Sequence, residues 1–184
     1  MGQLLLRFNH CAQARLQSRH PQVREPNTMA HPDSLITPKH VLIDMRLLPP
    51  VVTGIGRYLR HLLLQLNQIS PPDLAFQALC LPDQTLPANI PRLVMTGPSA
   101  YAKPLGLLQQ IWVPPVVRRS GCDLYHYTYY DPPWSAGRPF VATCYDIEPL
   151  RHPELFSRKI VLYYRLFTLR LRAARQVIVI SEQT

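Results

Sequence analysis

His40-Val41-Leu42-Ile43-Asp44, then Pro49-Pro50, then Thr53-Gly54-Ile55-Gly56, then Leu59, Leu62, Leu63 and Leu66: this stretch decides the fold. The first five residues form a short apolar run of the kind a buried strand uses. The prolines and paired glycines make a loop, and leucines at i, i+3, i+4 and i+7 give one face of a helix. Strand, glycine loop and helix open a βαβ unit.

The same alternation continues along the chain. Apolar runs at Leu74 to Leu81 and Arg92 to Met95 predict strands, and a helix is expected from about Leu105 to Trp112, stopped by Pro114-Pro115. Asp123 to His126 and Pro139 to Cys144 are strand-like, with the turn-rich Asp131-Pro132-Pro133-Trp134-Ser135 between them. A long helix is expected from about Pro153 to Ala174. Gln176 to Ile180 then reads as a strand covered on both faces. Strands alternating with helices predict an α/β fold, a Rossmann-like parallel sheet flanked by helices.

The chain has 184 residues, 47% of them hydrophobic, enough to bury a core. Wholesale disorder and a disulfide-stapled miniprotein are thereby excluded. No apolar run approaches the roughly 18 to 20 residues of a membrane-spanning helix. The net charge of +9 is local: residues 1 to 40 carry +3 and residues 151 to 175 carry +6, so the rest is neutral. Basicity confined to a head and one helix argues against nucleic acid as a partner, since such binders spread cations over a face and interleave aromatics. Cys11, Cys80, Cys122 and Cys144 stand far apart, with no metal-ligand spacing among them or the seven histidines. They read as reduced thiols in a cytoplasmic protein, and no structural metal is expected.

Residues 1 to 38 are polar, with Leu4-Leu5-Leu6 too short for a signal-peptide core. A disordered basic head is expected there, with the fold beginning at about residue 39. Ser181-Glu182 follow the last strand directly, where such folds start a ligand-facing loop or a further helix. The reading expects more chain beyond them.

Four groups of residues could carry chemistry. Gly54 and Gly56 before a helix allow backbone N-H groups to approach an anion, although the third glycine of a dinucleotide fingerprint is replaced by Leu59. A tight turn is the alternative. Asp146, at the carboxyl end of a strand, could accept a proton or orient a hydroxyl, with Glu148 two residues on; equally, it could cap a turn. His126 lies beside Tyr125, Tyr127, Tyr129 and Tyr130, a cluster suited either to stacking on sugar rings or to packing in the core. On the last helix, Leu155, Leu162, Leu166, Leu169 and Ala173 define one apolar face that packs on the sheet. Arg158, Arg165 and Arg172 recur every seven residues on another face, either as a solvated stripe or, with Tyr163 or Phe167 exposed, as a contact with anionic lipid.

Together, V-L-I-D-M-R-x-L at 41–48, T-G-I-G-R-Y at 53–58, D-L-Y-H at 123–126, Y-D-I-E-P-L-R-H-P-E at 145–154 and V-I-V-I-S-E at 177–182 resemble the amino-terminal domain of family 4 glycosyltransferases of the GT-B fold. The resemblance implies retaining, metal-independent hexosyl transfer from a nucleotide-sugar to a glycan or lipid-linked acceptor, with no tightly bound cofactor. It implies a cleft between two Rossmann-like domains, of which residues 39 to 184 would be the acceptor half. The donor-binding domain, or a partner chain in its place, would dock on an exposed apolar surface. Carried over, Gly54, Gly56 and Arg57 would face the donor phosphates. His126, Tyr127 and Glu148 would line the acceptor side, and Asp146 with Tyr145 would sit at the catalytic floor. Tyr145 stands where the family usually has His; a phenol can donate a hydrogen bond but cannot act as a readily protonated base. The half domain alone is expected to lack turnover. The alternatives are a non-catalytic carbohydrate-binding module and a basic protein peripheral on the inner face of the cell membrane.

Overall fold

A computed structural model describes residues 37–48, 53–69, 71–97, 108–129 and 131–180. The expected head up to residue 36, the Pro49-Pro50 loop, Tyr130 and Ser181-Glu182 lie outside the described residues. The elements are β1 (Lys39–Asp44), α1 (Gly54–Ile69), β2 (Leu74–Cys80), β3 (Arg92–Val94), α2 (Leu108–Arg119), β4 (Leu124–Tyr127), β5 (Phe140–Cys144), α3 (Glu148–Arg151), a 3-10 turn (Pro153–Leu155), α4 (Arg158–Leu171) and β6 (Gln176–Val179).

All six strands run parallel in the order β3-β2-β1-β4-β5-β6, a Rossmann-like α/β sheet. Strand alternation splits the core in two. Ile43 and Ala78 face one way, where Leu59 and Leu63 of α1 cover them. Leu42, Leu79, Tyr125, Tyr127, Phe140 and Ala142 belong to the other core cluster, with Val113 and Val117 of α2. The reversal of strand order falls between β1 and β4, and the crevice beyond their carboxyl ends is where open parallel sheets of this kind place ligands.

Three expectations need correction. Pro114-Pro115 does not stop α2: the helix runs through both prolines to Arg119. Their missing N-H groups leave the carbonyls of Gln110 and Ile111 without intrahelical donors, a cost of about 3 kcal/mol for an interior proline. Burial of Val113, Pro114 and Val117 against the sheet offsets it. The helix is ended instead by Gly121, two residues past Arg119, whose φ of 71° suits a left-handed cap, with the Gly121 N-H donating to the Arg118 carbonyl at 3.3 Å.

The long helix expected from Pro153 is two pieces, a 3-10 turn and α4, separated by the extended Phe156 and Ser157; the Ser157 hydroxyl then caps α4 by accepting from Ile160 N-H at 3.4 Å. Its orientation also differs. Val161, Tyr164 and Phe167 turn inward, whereas Leu155, Leu162, Leu166 and Leu169 are exposed. The aromatic rings win the inward face because they bury more area and interlock edge to face, Tyr164 to Phe167 at 4.8 Å. Finally, β6 is not covered on both faces: it lies at the sheet edge, with Val179 exposed and Val177 and Ile178 only part-buried.

Candidate functional site

The carboxyl end of β1 brings Asp44 and Arg46 together in the interior, with side chains 3% and 0% exposed. Arg46 donates from Nε to both carboxylate oxygens, at 2.9 and 3.0 Å, and from Nη2 to Oδ2 at 2.6 Å. Tyr125, on β4, donates its hydroxyl to Asp44 Oδ2 at 2.5 Å, and Thr128 donates to the Asp44 carbonyl. Burial acts to lower the Arg46 pKa, and the Asp44 carboxylate more than offsets it, so the net direction is up. Beside this pair, Tyr127 donates to Asp131 Oδ1 at 2.7 Å, with Gln109 Oε1 3.1 Å from the same hydroxyl, while Gln109 Nε2 donates to Asp131 Oδ2 at 2.7 Å. Burial first, and then the Asp44 and Asp131 charges respectively, hold the Tyr125 and Tyr127 hydroxyls far above the usual phenol range. Both remain donors at any physiological pH. The loop after β1 is pinned by Gln84, whose Nε2 donates to the carbonyls of Met45 and Leu48, each at 2.9 Å. The switch-point floor is thus a closed polar network.

Above the floor lies a rim of rings. Tyr145 packs edge-on to Tyr58 of α1, with centroids 5.6 Å apart, and tilted against Tyr129 at 6.1 Å. Tyr58 and Tyr129 are half-buried, and Asp146 beside them is exposed, with the Tyr164 hydroxyl 3.4 Å from its Oδ1. An aromatic rim next to one accessible carboxylate can stack a sugar ring and accept a hydroxyl hydrogen bond.

Other candidates stand differently. Tyr145 is buried and donates its hydroxyl to the Thr128 carbonyl at 2.9 Å; burial, then the Tyr58 and Tyr129 hydroxyls, push its pKa up. In this structure its proton is held by the fold. His126 does not line an open surface: it is 8% exposed, its Nε2 lies 2.9 Å from Thr143 Oγ1, and burial lowers its pKa to about 4 despite the Asp44 carboxylate. Tyr127 is 1% exposed and belongs to the Asp131 network, so it too is removed from the acceptor side. Alternation along β4 sends Tyr125 and Tyr127 inward on one face and His126 inward on the other, leaving only Tyr129 of that cluster, among the described residues, at the rim.

Gly54 and Gly56 do not form a loop before α1 but its first turn. Thr53 caps it, accepting from Gly56 N-H at 3.0 Å through Oγ1 and from Arg57 N-H at 2.8 Å through its carbonyl. A methyl group on Gly54 would meet nothing within 4 Å. Arg57 is exposed. Glu148 is exposed at the start of α3, its carboxylate 3.9 Å from His152. Arg158, Arg165 and Arg172 are all exposed, whereas of the two aromatics expected with them Phe167 is buried and Tyr163 half-buried.

Cys80, Cys122 and Cys144 are unpaired and buried. Burial, then the Asp146 carboxylate, pushes Cys144 up to about 11, so it is a poor nucleophile. Among the described residues no three His, Cys, Asp or Glu side chains gather as a metal site. Arg46, Gln84, Gln109 and Asp131 were not singled out from sequence, although the polar Asp44-x-Arg46 directly after an all-apolar run was a signal for the first. No family model matches the chain, no curated protein matches it, and no solved structure matches it.

Proposed function

We propose that the chain is the acceptor-side half of a sugar-transferring enzyme of the family 4 glycosyltransferase type, taking a nucleotide-sugar as donor substrate. One observation carries this proposal. The motif segment Thr53 to Tyr58, the end of the segment Asp123 to His126 and the start of the segment Tyr145 to Glu154 all lie at one carboxyl edge, beside the switch point. There Tyr58 and Tyr129 offer ring faces, and Asp146 offers a carboxylate to an acceptor hydroxyl.

The test is equilibrium binding of a glycan and nucleotide-sugar panel, followed by transfer of radiolabelled sugar. Tyr129→Ala and Asp146→Ala should each weaken glycan binding about tenfold, or about 1.4 kcal/mol. Binding with transfer supports the enzyme. Binding without transfer under any donor favours the carbohydrate-binding module, in line with the committed Tyr145 hydroxyl. If the folded protein binds no member of the panel, the sugar assignment is wrong.

The outward turn of α4 supports a second proposal, that the domain works at an anionic membrane surface. Leu162, Leu166 and Leu169 are exposed, Arg158, Arg165 and Arg172 flank them, and the helix carries no acid. Each cation near an anionic surface contributes about 1 kcal/mol. Replacing all three with Gln should reduce sedimentation with phosphatidylglycerol vesicles about a hundredfold, and unchanged sedimentation would reject the contact.

A further inference from the structure

The opposite edge of the sheet holds a feature that the carboxyl-edge site does not use. Arg118 at the end of α2, Arg138 before β5, and Arg170 and Arg175 around the end of α4 line one groove of about 600 Å³ with Trp134, Gly137 and Phe140. Among the described residues none of the four arginines is paired with a carboxylate, and no acid lines the groove. Arg138 and Arg170 reach only carbonyls, those of Arg118 at 3.5 Å and Pro133 at 2.6 Å. The negative ends of α2 and α4 answer about half a charge each, leaving about +3 in the groove.

Two details point to a ligand rather than a solvated cluster. Arg170 Nε is buried without a hydrogen-bond partner, although its guanidinium is held over the Trp134 ring at 5.4 Å and near the Phe140 ring at 5.9 Å. Trp134 itself is 56% exposed, a large ring left at the mouth of a cationic groove. The approach is also tight: Gly137, at φ 74°, leaves room for no side chain, since a Cβ would lie 2.7 Å from Arg118 Cγ and 2.9 Å from the Pro114 carbonyl. Glycine at this point holds the segment bearing Trp134 and Arg138 against the helix bearing Arg118.

We infer that this groove binds a phosphate-bearing ligand, a phosphate ester or diphosphate whose oxygens take paired N-H groups from these arginines. Guanidinium forks match phosphate oxygens two at a time, and like charges converging without a carboxylate are relieved by such an anion. The site is independent of the sugar-transfer proposal, lying at the amino ends of the strands. The phosphate could be carried by a soluble molecule or by a lipid headgroup, and the two share this chemistry.

The test titrates the full chain with inorganic pyrophosphate at low salt, and in parallel with vesicles of phosphatidic acid in phosphatidylcholine. Arg138→Gln and Arg175→Gln remove exposed side chains, so folding, checked by circular dichroism, should be retained. Each should weaken binding at least fivefold, and the pair at least twentyfold, while Arg60→Gln, an exposed position on α1 with the same change of net charge as either single variant, should alter it less than twofold. Loss of pyrophosphate binding in the groove variants assigns a soluble phosphate. Vesicle binding lost in the same variants, with no pyrophosphate binding, assigns a lipid headgroup. Binding to neither probe, or an equal loss in Arg60→Gln, overturns the site, as does a single-stranded oligonucleotide held more tightly than either probe.

Discussion

The two ends of the sheet treat arginine in opposite ways. At the carboxyl end of β1, Arg46 is fully enclosed and bonded through Nε and Nη2 to the carboxylate of Asp44. At the amino end of β5, four arginines share a groove that, among the described residues, no carboxylate lines. A charge neutralised inside the molecule serves the fold, whereas charges left unanswered at an open surface leave their attraction to something outside it. The contrast also explains why the Asp44 network, although it lies under the expected ligand crevice, is not the site itself.

Breaking the enclosed pair should have the largest effect. Arg46→Met strands a buried carboxylate and should cost about 3 to 5 kcal/mol in urea unfolding; replacing both Asp44 and Arg46 with apolar residues should cost less than that single change. If the single variant costs under 1 kcal/mol, the pair is not enclosed as described.

The buried His126 gives the next effect, and its sign is fixed by the lowered pKa. The unfolded chain takes up a proton near pH 6.5 and the folded chain only near 4, so stability falls as pH drops through that window, by up to about 3 kcal/mol, and levels off below it. His126→Gln should flatten this part of the stability profile; an unaltered profile would show that another group titrates. The phenols act at the other end of the scale: with Tyr125 and Tyr127 held protonated by the fold, stability should decline as pH rises above about 10.

Gly137→Ala sharpens the comparison from the groove side. The added methyl group meets Arg118 and the Pro114 carbonyl at a backbone angle that disfavours it, so a loss of about 1 to 3 kcal/mol is expected by thermal unfolding. The smallest effect belongs to the groove arginines. Arg138→Gln and Arg175→Gln should change stability by no more than about 0.5 kcal/mol, since both side chains are exposed and neither is paired with a carboxylate among the described residues. A loss near that of Arg46→Met would place them in the fold rather than at a ligand.

Much of the fold was legible in the residues, because strands buried in a parallel sheet announce themselves as apolar runs: β1, β2, β4 and β5 fall where His40 to Asp44, Leu74 to Leu81, Asp123 to His126 and Pro139 to Cys144 predicted them. What failed was local chemistry read without tertiary context. Pro114-Pro115 is a stop signal until the burial of Val113 and Val117 outweighs it. The leucines of α4 look like its packing face until Val161 and the larger rings of Tyr164 and Phe167 take that place. The site was less legible, since both faces of β4 are covered: His126 and Tyr127 are buried on opposite sides, and only Tyr129, past the end of the strand, is half-buried at the rim. The arginine groove could not be read at all, because its four residues come from three separate segments.

The most direct test of the carboxyl-edge assignment is to map amide shift changes by nuclear magnetic resonance while titrating the glycan and nucleotide-sugar panel. The account predicts movement at Tyr58, Tyr129, Tyr145 and Asp146, with His126 and Tyr127 still. Shifts confined to other surfaces, or none from any member of the panel, would contradict it.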